Sequence, residues 1–148
     1  MSKEDFFEKL DTLLKIRPLT PEAVGHVISP KATKREEESN EFFAMYVAKG
    51  GEEDGVKKVE LRVPLQSKEG RDGLLILELG PKLNIDLEDV MARYGRNPRF
   101  SPADPRAPDS VPSYYSYTVE GAELSFGVRS DQSPKLLSVI IDRSSPRR

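Results

Sequence analysis

Two short stretches, VELRV at 59–63 and LSFGV at 124–128, alternate apolar residues with others without a break. Successive side chains of a strand point to opposite faces. Val59, Leu61 and Val63 therefore share one face of their strand, and Leu124, Phe126 and Val128 share one face of theirs. Such alternation means a sheet with one buried face, the pattern of antiparallel pairing. Each stretch follows a glycine turn, ending at Gly55 and at Gly121. Whatever else the chain does, it must cover one side of a sheet.

The cover is legible as helices. Residues 5–16 place Phe6, Leu10, Leu13 and Leu14 at helical spacing, and the Arg17-Pro18 pair ends the pattern. In LTPEAVGHVI (19–28), Thr20 is the N-cap, Pro21 fits the first helical position, and Leu19 with Val24 forms a hydrophobic staple. IDLEDVMARYG (85–95) repeats the scheme, with Asp86 as cap, Ile85 and Val90 as staple and Gly95 as C-cap. Glu22 and Glu88 both sit in first turns, where the helix dipole favours acids.

Strand-like runs surround these helices. FFAMYVA (42–48) and YYSYTV (114–119) are aromatic-rich, while GLLILEL (73–79) and KLLSVIID (135–142) are apolar enough to be central strands. Thr20 and Asp86 lie 66 residues apart, and the alternating triplets 65 apart. The expectation is an α+β fold, an antiparallel sheet with helices packed on one face, built from two tandem helix–β–β–β units. It is a single domain over 1–148 with halves at about 1–80 and 81–143 and a frayed tail at 144–148. Two segments break the pattern. Residues 31–41 are polar and charged, and residues 96–112 carry Pro98, Pro102, Pro105, Pro108 and Pro112, which favours extended backbone and forbids a helix.

Reactive chemistry is scarce. There is no cysteine, so disulfides, thiolate catalysis and cysteine metal sites are excluded. The one histidine, His26, falls beside Gly25 between Val24 and Val27, a helix-surface or packing position. One imidazole gives no converging zinc ligands, and AKGGEEDG (48–55) is acidic where a phosphate loop would end in lysine. No cofactor or metal is expected. Net charge is -2 with the two signs interspersed, which argues against a nucleic-acid partner and a membrane surface. The opening stretch MSKEDFFEKLDTLLK lacks the apolar centre of a signal peptide, and no run approaches the roughly 20 apolar residues of a membrane span, so the expected location is cytoplasmic. Carboxylates cluster at Glu36, Glu37 and Glu38, at Glu52, Glu53 and Asp54, and at Glu88 and Asp89, all read as solvated. Tyr115 and Tyr117 share one strand face and Tyr114 takes the other, so one of the two faces packs inward.

DLEDVMARYG, the proline-rich segment, YSYTVEGAELSFGV and LLSVIID together resemble the β-lactamase-inhibitor-protein fold and the small lipoprotein of the outer-membrane assembly machinery. The likeness spans about 60 residues of the second half. Those proteins are exported, whereas this chain lacks their disulfides and lipid-attachment cysteine. The resemblance implies a cytoplasmic binding module without catalytic residues, an immunity protein that neutralises a cognate bacterial toxin, such as a type VI secretion effector, by occluding its active site. The partner is a protein. The expected contacts are Glu36, Glu37, Glu38, Glu41, Glu52, Glu53, Asp54, Arg99, Phe100, Tyr114 and Tyr115, the acids matching a basic toxin surface or standing where phosphates would. A secretion chaperone or assembly factor is the alternative, and an enzyme a distant third.

Overall fold

The computed structural model describes residues 2–28, 32–50, 55–65, 73–80, 82–102, 106, 112–129 and 135–143. Helix α1 (Lys3–Lys15) starts in a reciprocal cap: Ser2 Oγ accepts from the Asp5 N–H and the Asp5 carboxylate accepts from the Ser2 N–H. Its apolar stripe, Phe6, Phe7, Leu10, Leu13 and Leu14, is buried. At the other end the buried Arg143 guanidinium donates to the carbonyls of Leu13, Leu14 and Ile16, joining the Ile16 N–H on the Leu13 oxygen and helping to satisfy the open carbonyl end of the helix. Helices α2 (Pro21–Val27) and α3 (Leu87–Tyr94) start where the capping residues predict. Thr20 accepts from the Ala23 N–H, and Asp86 and Asp89 form a second reciprocal cap. Both members of each expected staple pair, Leu19 with Val24 and Ile85 with Val90, are buried.

Among the described residues eight strands form one antiparallel sheet: β1 (Thr33–Lys34), β2 (Phe43–Lys49), β3 (Val56–Pro64), β4 (Leu74–Leu79), β5 (Arg99–Ser101), β6 (Ser113–Val119), β7 (Ala122–Val128) and β8 (Leu136–Asp142). Their order across the sheet is β1-β2-β3-β4-β8-β7-β6-β5. The apolar runs expected to be central are β4 and β8, side by side in the middle. Sequence reasoning gave six strands. The extra two, β1 and β5, lie in the polar and proline-rich segments and form the outer edges. The β6–β7 hairpin closes through Glu120 and Gly121, both at positive φ (52° and 76°), the two-residue type I′ turn whose twist suits paired strands.

Alternate residues of the central strands point to a single core. Val59 and Leu61, Leu75 and Leu77, Leu124 and Phe126, and Val139 and Ile141 are at most 1% exposed. They form one cluster with the buried residues of α1, with Val24 of α2 and with Val90 of α3. The helices thus lie on this face, and the intervening residues form the other. Among the described residues no helix is long and apolar enough to cross a membrane.

Candidate functional site

The helix-free face is assembled by cross-strand register. One row runs Lys58, Glu78, Ser138, Gly127, Tyr114 across β3, β4, β8, β7 and β6. The next runs Glu60, Ile76, Ile140, Ser125, Ser116. A hollow of about 340 Å³ opens between them, lined by Lys58, Glu60, Ile76, Glu78, Pro112, Tyr114, Leu137 and Ser138. Gly127 lies between two of these lining residues, Ser138 and Tyr114, and has no room for a side chain. A Cβ there would collide with Ser138 Oγ and lie 3.1 Å from the Tyr114 ring. The register shift between Gly127 and Val128 brings Leu137 in as an extra residue of β8.

The charges around the hollow are unbalanced. Lys58 and Glu60 pair at 2.7 Å, both largely shielded from solvent. The hydrogen bond that Lys58 donates to Glu60 raises its ammonium above the usual lysine range; burial opposes this, and the fields of Glu60, Glu78 and Glu38 add to it. Glu78 is exposed and forms no ion pair within 4.0 Å among the described residues. Further along the face, Ser116 and Ser125 hydroxyls meet at 2.8 Å, and the Arg62 guanidinium lies 5.7 Å above the Phe43 ring. The hollow can therefore seat an apolar stem and oppose its end with carboxylate and hydroxyl oxygens. Among the described residues no three acidic or imidazole side chains group as a metal site. His26 is exposed on α2, on the helix side of the sheet.

The expected contact residues divide. Glu36, Glu37 and Glu38 form an exposed 3-10 turn beside β1, with Glu41 exposed just after it. Glu36 meets Lys34 at 3.4 Å and Glu37 meets Arg35 at 3.9 Å, surface pairs that contribute little stability. Glu52, Glu53 and Asp54 lie outside the described residues. Arg99 and Phe100 are exposed on β5 at the opposite edge, where Arg99 pairs with Glu123 and Phe100 stacks on Tyr115 at 4.9 Å. Seven strand spacings, roughly 30 Å, separate the two edges. Tyr115 turns to the helix side and packs on the core, as does Tyr117, whereas Tyr114 lines the hollow. Reading the sequence alone missed Lys58, Glu60, Glu78 and Ser138. The first two were visible as outward residues of an alternating strand, but nothing local says that β4 and β8 lie beside them. No family model, curated protein or solved structure matches this chain.

Proposed function

We propose that the chain is a non-catalytic protein-binding module, an immunity protein that occludes the active site of a cognate bacterial toxin. The observation that carries this reading is the helix-free sheet face, roughly 30 Å wide, with Glu36–Glu38 at one edge, Arg99 at the other and a hollow between. A face of that width suits the roughly 800 Å² that each partner buries in a standard stable interface. Rigid backing by helices lowers the ordering cost of binding, which favours affinity per area. The acidic turn and Glu78 would steer a basic partner surface toward this face.

The same reading holds that the sheet is two tandem helix-and-strand units. The pairings Thr33–Val47, Val47–Glu60 and Glu60–Ile76 run inward from one edge. From the other edge Arg99–Ser116, Ser116–Ser125 and Ser125–Ile140 match them one for one, and the rows meet at Ile76–Ile140. A row with the same layout from both ends supports duplication, with a fourth short strand added to each unit. It also favours the β-lactamase-inhibitor-like resemblance over a single lipoprotein-like copy.

Co-purification with the protein encoded beside this gene, followed by calorimetry, tests the function. Nanomolar binding that abolishes the partner's toxicity is expected, lost when Glu36, Glu37 and Glu38 are all changed to lysine. A chain that binds no neighbouring-gene product and forms a stable homodimer would instead favour the secretion-chaperone reading.

A further inference from the structure

We propose that the hollow on the helix-free face is a recognition site for an arginine side chain presented by the protein partner. The inference rests on the binding-module reading and specifies what that face grips. Three features of the hollow select the occupant. Its walls are apolar or aromatic at Ile76, Leu137, Pro112 and Tyr114, which suits a methylene stem and a flat head stacked on the Tyr114 ring. Its charged lining is two carboxylates against one ammonium, Glu60 and Glu78 against Lys58, so a cation is attracted and an anion repelled. The Ser138 side chain lines it at 9% exposure and hydrogen-bonds to no side chain among the described residues, so its hydroxyl can receive a donor from the occupant.

Magnitudes favour arginine over lysine. Glu60 is engaged by Lys58 at 2.7 Å, and any second cation meets Lys58 as a like charge, most strongly when that charge is concentrated on an ammonium. A guanidinium spreads its charge over a plane with five donors and is more weakly hydrated. It can take Glu78 on one edge and Ser138 on the other while Lys58 keeps Glu60. Gly127 is part of the device, because any side chain there would displace the Ser138 hydroxyl and crowd the Tyr114 ring, two of the groups that line the hollow.

The full chain, labelled with nitrogen-15, is titrated with the blocked tripeptide acetyl-Ala-Arg-Ala-amide and with its citrulline, lysine and aspartate counterparts. The expected result is a millimolar response to the arginine peptide, confined to amides of β3, β4, β7 and β8 around Ile76, Glu78, Gly127 and Ser138. The uncharged citrulline peptide should bind at least about tenfold more weakly, as should the arginine peptide to Glu78→Gln. Gly127→Ala, its fold checked by the same spectra, should lose the response. Equal response to citrulline, a stronger response to aspartate, or shifts scattered elsewhere would overturn the site. A nanomolar protein partner that binds wild type and the Glu60→Gln, Glu78→Gln double variant equally would also overturn it, while leaving the binding-module reading intact. An arginine-specific response in a chain that captures no neighbouring-gene protein supports the site and counts against the immunity reading.

Discussion

At the scale of single residues, two side chains carry more of the fold than their sequence positions suggest. Arg143 is 3% exposed and offers its guanidinium to three carbonyls at the end of α1, 127 to 130 residues away in the chain. Replacing it by leucine keeps an apolar stem but removes the guanidinium donors to the Leu14 and Ile16 carbonyls and leaves Leu13 only the Ile16 N–H. We expect Arg143→Leu to lose about 2–4 kcal/mol in urea unfolding, far more than the same change at exposed Arg106. Tyr94 is the second. Its hydroxyl donates to Asp11 at 2.9 Å while its ring meets Phe7, Tyr117 and Phe126. Burial first, then the bond to Asp11, pushes its ionisation well above the ordinary tyrosine value of 10.0. Tyr117 shifts the same way by burial, and its hydroxyl donates to the Gly95 carbonyl at 2.6 Å. A folded pKa above the unfolded one means that the unfolded chain releases its proton first, so stability is complete below pH about 10 and falls as pH rises beyond it. Tyr94→Phe should cost about 1 kcal/mol at pH 7 and flatten that alkaline decline. Thermal melts from pH 8 to 11 measure both, and an unchanged alkaline slope would refute the assignment.

At the scale of elements, caps and turns were legible and edges were not. Ser/Thr/Asp caps, staples and an amphipathic stripe are local signals, and α1, α2 and α3 follow them to within two or three residues. Asp89 closes the α3 cap. Burial works against its charge, but the Asp86 N–H and Lys3, at 3.0 Å, outweigh it and hold its carboxyl below the usual range. A depressed folded pKa gives stability that is present above the unfolded value near pH 4 and lost as pH falls through the folded one. Asp89→Asn should therefore be less stable at pH 6 by about 0.5–1 kcal/mol and show a shallower acid decline, as followed by circular dichroism. The Glu120–Gly121 turn is locally strained, since glutamate sits at φ 52°. Glu120→Asn should raise stability by roughly 0.5–1 kcal/mol, because Asn-Gly is the favoured type I′ pair. Arg17 grips the backbone carbonyl of residue 120, so that contact survives the change. By contrast β1 and β5, two and three residues long, carry no alternation of their own. They are strands because β2 and β6 offer open edges, a tertiary cause that no local window contains. The hollow is invisible for the same reason: Gly127 lies beside Ser138 and Tyr114 only once register is set.

At the scale of the molecule, the two sheet halves share one seam. Leu75 faces Ile141 and Leu77 faces Val139 across β4 and β8, all at most 1% exposed and all in the common core. Neither half can bury its central strand without the other, so the chain should unfold in one cooperative step even if its halves arose by duplication. The seam joins residues 60 to 68 apart in sequence, and such long-range pairing is entropically late. Folding should accordingly be slow for a chain of 148 residues, with the helix and hairpin contacts forming first. Native-state hydrogen exchange separates this picture from that of two independent units. The amides of β4 and β8 should exchange last and at one common free energy, and Val139→Ala should lower protection on both sides of the seam equally, by about 1–3 kcal/mol. Protection lost from β6, β7 and β8 but retained in β2, β3 and β4 would mean that each unit keeps a core of its own. The helix-free face would then be two surfaces that hinge, and a site spanning β3 to β6 could not be preformed.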